Sequence, residues 1–453
     1  MSQYSCHANV VLNCNRSNKL EDEHLLKLEK FLQTTSSKLD DTILLLEWEK
    51  RINQTSHSII EKWNLFGFAI QLLQRWGKHR LMLAFSIRQT ELAFELKNEC
   101  KHAHNLKLIE IIADSFLNLS KSNFLLSEYK RSLNYAGKCL RQAEEIETTT
   151  GNALILKAHG YFYKGKSNFH LSKFKEAIQD FEVALRISLK ESDKALECLT
   201  CCAMSEFYLL LKDYEKAAFF SVKGLEVLQQ HGKDWNTKYR STVQITLAET
   251  YRKIGKVKDA MEACEDAMEL ALEDQDRQSQ AYCMLCFANI HRIKKDHVRS
   301  LPRYNLAGGL MVEVGDYYGQ SLVAIGRAKL FFKGKEYGKA IAEYERARQL
   351  AEVIDCKAIT MRIFGEMAIL HQRMSNATSA KESMLQYHYI QDMIGLWCTL
   401  CNQPIGEKQD QLEILSCFHV FHLICVADKV ISMKNKLQDE WICPKCNCAN
   451  CHN

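Results

Sequence analysis

A small residue recurs about every 40 positions through the second half of this chain, and few folds can carry such a period. Ala177, Ala217, Ala260, Ser300, Ala340 and Ala380 stand 40, 43, 40, 40 and 40 residues apart. Twelve residues before them come Gly165, Ser205, Ala248, Ala288, Ala328 and Ala368, all small. Seven residues after them come Ala184, Gly224, Ala267, Ala307 and Ala347, until Tyr387 breaks the rule. Bulky side chains, Phe174, Tyr214, Val257, His297 and Tyr337, precede the first five anchors by three. A small residue on each of two helices lets their axes approach, and a large one nearby fills the groove that remains. Phe174, Ala177, Ile178 and Phe181 also fall on one helical face. The chain is therefore expected to be all-α, built from helical hairpins that stack.

Composition agrees. Only three prolines, Pro302, Pro404 and Pro444, interrupt 453 residues, which suits long helices whose interiors proline breaks. Hydrophobic residues at 47% and charged residues at 25% are those of an ordinary folded chain. The net charge of +5 is a small difference between 60 basic and 55 acidic residues, too balanced to favour nucleic acid as a partner. No run of apolar residues is long enough to span a membrane, and Met1 to Asn15 lacks the apolar stretch of a secretion signal. Walker A, GxGxxG and GxSxG segments are absent from the sequence, so phosphate-loop chemistry and serine hydrolysis have no support.

The hairpins resemble tetratricopeptide repeats, although their period exceeds the usual one of about 34 residues by about six. Fainter copies centred on Ser132, Met82 and Leu44 extend the pattern towards the amino terminus. Residues 41–390 are thus read as a tetratricopeptide-like solenoid of six clear units and up to three degenerate ones, with a concave face suited to binding. Residues 1–40 are read as a lead-in, flexible over its first 20 or so polar positions.

Eight of the nineteen cysteines lie in the last 56 residues. The pattern runs Cys398-x2-Cys401, fifteen residues, Cys417-x-His419-x2-His422-x2-Cys425, seventeen residues, Cys443-x2-Cys446. Zinc favours four tetrahedral sulfur or imidazole donors, and a two-residue gap lets two thiolates converge on one ion. Eight donors predict two Zn2+ ions, each with four protein ligands and so structural, with no open position for catalysis. Cys448, Cys451 and His452 offer another pairing beyond Cys446. So short a segment buries little apolar surface, and metal of this kind contributes on the order of 10 kcal/mol or more to folding. The scattered upstream cysteines suit a reducing compartment. Two further pairs, Cys198 with Cys201 and Cys283 with Cys286, are read as packing residues within helices, as are His291 and His371 in the repeat phase of Tyr208, Tyr251 and Phe331.

Residues 391–453 resemble a RING-H2 finger. Its cross-braced arrangement implies Cys398, Cys401, His422 and Cys425 for one ion and Cys417, His419, Cys443 and Cys446 for the other. Cys443-Pro444-Lys445-Cys446 matches the tight turn of such fingers, which favours Cys446 over the later donors. Leu400 and Pro444 occupy positions resembling the conjugating-enzyme contacts of active RING ligases, whereas Lys429 stands where many carry tryptophan and Asn447 where a basic residue is common.

Repeats followed by such a finger resemble the rapsyn family of receptor-associated synaptic proteins. The strings Lys212-Asp213-Tyr214-Glu215-Lys216-Ala217, Ala281 to Arg292, Pro302-Arg303-Tyr304 and Ile405-Gly406-Glu407-Lys408 carry the likeness, which covers about residues 40–446. It implies a cytoplasmic postsynaptic scaffold that self-associates through its repeats, binds and clusters nicotinic acetylcholine receptors, and meets the dystroglycan-linked cytoskeleton through its finger. In that family about residues 300–390 are described as coiled coil. Here the 40-residue phase persists through Ser300, Ala340 and Ala380 with no heptad seam, so repeats are expected. Family members begin Met-Gly and are myristoylated, but this chain begins Met1-Ser2. Peripheral membrane association without an N-myristoyl site is the expectation. The competing expectation is a RING-type ubiquitin or ubiquitin-like ligase, acting by orienting a conjugating enzyme while the repeats choose the substrate. A peptide-clamping co-chaperone is a third, resting on fold analogy alone.

Overall fold

The computed structural model describes residues 18–36, 39–56, 58–99, 106–146, 151–230, 237–434 and 443–446. The polar start of the lead-in, Trp441, Asn447, Cys448, Cys451 and His452 lie outside them.

Among the described residues, eighteen helices run in antiparallel succession ahead of the carboxyl-terminal module. The first three pairs are α1 (Asn18–Thr35) and α2 (Asp41–Thr55), α3 (Ile59–Arg75) and α4 (His79–Glu99), α5 (Leu106–Leu125) and α6 (Tyr129–Glu144). Then come α7 (Gly151–His170) and α8 (Phe174–Lys190), α9 (Lys194–Leu210) and α10 (Tyr214–Gln230), α11 (Thr237–Lys253) and α12 (Val257–Glu273). The last are α13 (Arg277–Ile293) and α14 (His297–Val314), α15 (Tyr317–Lys333) and α16 (Tyr337–Val353), α17 (Lys357–Arg373) and α18 (Ala377–Ile394). The fold is the tetratricopeptide-like all-α solenoid that the repeat predicts. Residues 300–390 are helical hairpins like the rest.

Each anchor is the fourth residue of the second helix of its pair, and this includes Leu44, Met82 and Ser132. The residue twelve positions earlier faces it across the hairpin. Where that residue or the anchor is serine, the hydroxyl finds a backbone acceptor: Ser205 Oγ donates to Ala217 O at 2.9 Å, Ser300 Oγ to Ala288 O at 2.8 Å, and Ser120 Oγ to Ser132 O at 2.9 Å. In the first two pairs the couple is large, Leu32 with Leu44 and Ile70 with Met82, all buried. α1 falls within the stretch read as lead-in, and its Leu28 and Leu32 share a core with Leu44 and Trp48.

The turns are uniform too. Five residues before each anchor from Met82 onward the backbone is left-handed, at Gly77, Ser127, Ser172, Lys212, Gly255, Lys295, Lys335 and Ser375, with φ between 59° and 88°. The helices that open α9, α13, α14 and α15 are capped by Asp193, Asp276, Asp296 and Asp316, each accepting a first-turn amide.

The coil closes on itself. His79 Nδ1 lies 3.1 Å from Val314 O, the Tyr318 amide donates to Ser127 Oγ at 3.4 Å, and the Ala358 amide donates to Ser172 Oγ at 2.8 Å. Turns of the second, third and fourth hairpins thus rest on the seventh to ninth. The fifth hairpin's turn receives the carboxyl-terminal module, whose Leu396, Ile405, Leu412 and Phe421 join Phe174, Phe207 and Leu211 in one buried cluster.

Candidate functional site

The module starts where Gly395, left-handed at φ 66°, ends α18. Strands β1 (Trp397–Cys398) and β2 (Gln403–Pro404) pair antiparallel around a tight turn in which the Asn402 amide donates to Cys398 O at 2.8 Å. That turn sets Cys398 and Cys401 side by side. A second antiparallel pair, β3 (Leu412–Ile414) and β4 (Val420–His422), is joined through Cys417 and a left-handed Phe418, which re-aims the chain so that Cys417 and His419 converge. Helix α19 (Leu423–Lys434) follows at once and carries Cys425 one turn from His422.

Two groups of donors result. Cys398, Cys401, His422 and Cys425 place their ligand atoms within 4.8 Å of one another, and so do Cys417, His419, Cys443 and Cys446. Both histidines present Nδ1 to the sulfurs: Cys401 Sγ to His422 at 3.3 Å, Cys425 Sγ to His422 at 3.9 Å, Cys417 Sγ to His419 at 3.5 Å, and Cys443 Sγ to His419 at 3.6 Å. Metal–sulfur and metal–nitrogen bonds of about 2.3 and 2.0 Å at tetrahedral angles require an S···N edge of about 3.5 Å. Either group can therefore hold a metal ion. Burial disfavours a charged Cys398 sulfur, but backbone amides of His422, Cys401 and Leu400 outweigh it and hold that thiol below its ordinary range. The thiols of Cys425 and Cys443 are pushed up, by burial first and then by the neighbouring sulfurs. A cation seated among them reverses that penalty.

Pro444 is exposed and Leu400 half-buried against the module's core, while Lys429 is exposed on α19. Cys198, Cys201, Cys283 and Cys286 are buried between repeat helices, outside either donor group. His291 is buried and His371 half-buried.

The seat of the module is a feature that spacing did not reveal. The Leu412 amide donates to Asp213 Oδ2 at 2.9 Å, Gln411 Nε2 donates to Glu215 Oε2 at 2.6 Å, and Lys212 donates to Glu407 O. Gly406, at φ 84°, lies against the Leu211 backbone. Two of the strings singled out in the sequence, Lys212 to Ala217 and Ile405 to Lys408, therefore touch each other. Repetition could not have linked them, because the contact occurs once.

Known proteins are similar to this chain over most of its length. The 43 kDa receptor-associated protein of the synapse from Tetronarce californica is 32% identical over 408 residues, covering 90% of this chain and 94% of that protein. The chain belongs to the rapsyn family. The Gallus gallus rapsyn is likewise 32% identical over 406 residues, with the same coverage. No protein-family model matches the chain. Among solved structures, the Rap conjugation regulator of plasmid pLS20 with its Phr* peptide superposes with a TM-score of 0.54 at 12% identity, covering 74% of this chain and 92% of that one. A Rap protein complexed with competence and sporulation factor gives 0.51 at 13%, over 74% and 99%. At such identities these two speak for the fold alone. No helix among the described residues is long and apolar enough to cross a membrane.

Proposed function

We propose that this chain is a receptor-associated scaffold of the synapse, holding nicotinic acetylcholine receptors in clusters from the cytoplasmic side of the postsynaptic membrane. The observation that carries the reading is likeness to rapsyn across 90% of the chain, repeats and module together. Repeat-mediated self-association multiplies weak receptor contacts into avidity, and the module meets the dystroglycan-linked cytoskeleton. Cys398, Cys401, His422 and Cys425 hold one Zn2+ and Cys417, His419, Cys443 and Cys446 the other. Both ions are structural, stapling strands and helix into a surface that docks on the solenoid. Attachment to the membrane is peripheral and runs through the receptors.

Co-expression with nicotinic receptor subunits in a non-muscle cell tests this. Surface receptors gather into clusters with the chain and stay diffuse without it. Diffuse receptors in both cells sink the proposal.

A ligase reading draws on one observation, that Pro444 is exposed and Leu400 only half-buried. Transfer of ubiquitin or a ubiquitin-like modifier in a reconstituted assay, lost with Leu400→Ala, is its signature.

A further inference from the structure

The last helix of the solenoid departs from its own repeat on the side turned to water. Five, nine and thirteen residues after the anchors Ala177, Ala217, Ala260, Ser300 and Ala340, the second helix of each hairpin carries charged or polar residues or glycine, save Val222 and Val353. Glu265, Glu269 and Glu273 on α12 are typical. After Ala380 the same three positions of α18 hold Leu385, Tyr389 and Met393. Their four-residue spacing sets them in one stripe along the helix. The repeat aims these positions away from its core, and it does so here: Leu385 is 60% exposed, Tyr389 62% and Met393 50%, with the carboxyl-terminal module in place. The inward face of α18 is formed by other residues, Ser383, Ile390 and Gln391. Single exposed apolar residues are ordinary, but a row of three where five sister helices are polar marks a surface made to be covered.

The edge of the stripe is charged in a way that selects its occupant. Lys381 and Asp392 are eleven residues apart, about three helical turns, so both lie along the same edge, one near each end, and both are exposed. Two helices laid antiparallel about a twofold axis present like edge to like edge. With the axis level with Tyr387, Leu385 of each copy meets Tyr389 of the other, and Lys381 of each lies beside Asp392 of the other. Opposite charges then frame the apolar contact, whereas a parallel pairing sets Lys381 against Lys381 and Asp392 against Asp392.

We infer that the outer face of α18 is a self-association surface, taken by α18 of a second copy of this chain in antiparallel register. So narrow a stripe buries less than a permanent interface does, and the pair gains strength when several chains are held together. The inference names the surface behind the self-association of the scaffold reading and rests on that reading.

Sedimentation velocity of the full-length, zinc-loaded chain over a range of concentrations tests it. The parent protein passes from monomer to dimer as concentration rises. Tyr389→Glu weakens dimerisation at least about tenfold by setting carboxylates in the apolar contact, and Val298→Glu, at an exposed apolar site on α14, leaves it unchanged. Lys381→Glu weakens it at least about threefold, and adding Asp392→Lys restores it, because the exchanged charges still pair between copies. Every substituted side chain is exposed, and each variant keeps the parent's helical circular dichroism. Dimerisation unchanged by Tyr389→Glu, weakened equally by Val298→Glu, or no better in the double variant than in Lys381→Glu overturns this surface and leaves the scaffold reading standing. A parent that stays monomeric at every concentration overturns the inference and removes self-association from the scaffold reading as well.

Discussion

Asp213 holds two parts of the molecule with one carboxylate: Oδ1 accepts the Lys216 amide at 3.1 Å, and Oδ2 accepts the Leu412 amide at 2.9 Å from 199 positions away. The first bond caps the start of α10 and the second ties β3 to the solenoid. Asp213 is 1% exposed, so water cannot replace it. Asp213→Ala is expected to cost about 1–3 kcal/mol for the orphaned Leu412 amide and about 1 kcal/mol for the cap. Urea unfolding measures the sum. Limited proteolysis should release the module while the solenoid stays intact, and an unchanged cleavage pattern would count against the docking role.

Metal removal separates the two folding strategies of the chain. A strong chelator is expected to release two zinc ions per chain and to unfold the module, which cannot sustain itself on so small a core. The solenoid helices need no metal, so circular dichroism changes little while the fluorescence of Trp397 shifts. Metal analysis of Cys417→Ala should give less than the full complement.

The repeat's exception, Tyr387, is compensated across its hairpin. Twenty-two residues before Ala184, Gly224, Ala267, Ala307 and Ala347 stand Phe162, Cys202, Ile245, Leu285 and Ile325, but 22 before Tyr387 stands Gly365. A Cβ on Gly365 would sit 3.1 Å from the Tyr387 ring. Bulk has changed sides. Gly365→Ile is expected to destabilise by about 1–3 kcal/mol through overpacking. Adding Tyr387→Ala should recover most of that loss, a coupling read from a double-mutant cycle. Simple additivity would refute the exchange.

Lys335 is exposed and left-handed at φ 62°, the conformation that Gly255 takes in the equivalent turn. An L side chain strains there, while glycine raises unfolded-state entropy, so Lys335→Gly should gain no more than about 1 kcal/mol. A lower thermal midpoint would show that the lysine does more than fill a turn.

Lys253 gives stability a pH dependence of definite sign. Burial, then the charges of Arg362 and Arg252, push its ammonium in the folded chain down to about 7 from an ordinary 10.5. Between those values the unfolded chain binds the extra proton, so stability rises with pH across that window and is lower below it. Lys253→Met should flatten the rise in thermal midpoint between pH 7 and 9 and raise the midpoint at neutral pH. Parallel curves for variant and parent would contradict the assignment.

How far the sequence could be read depended on whether each feature recurs. The small anchors repeat six times and gave away the hairpins. The three earlier anchors hold the same helical position, but Leu44, Met82, Ser132 and Ala177 are 38, 50 and 45 residues apart. Changes in helix and connection length shifted the phase, and large couples such as Ile70 with Met82 hid the small-residue signal. The metal donors were legible because Cys-x2-Cys pairs act within single turns. Seating Leu412 on Asp213 happens once, so no period betrays it.

The bond from Ala358 to Ser172, with those joining His79 to Val314 and Tyr318 to Ser127, lashes neighbouring loops of the spring together. An ordinary repeat array stretches and frays unit by unit, each hairpin answering only to the next. Here pulling one loop away strains another more than a hundred residues distant, so the solenoid is expected to resist extension and to melt cooperatively instead of unit by unit.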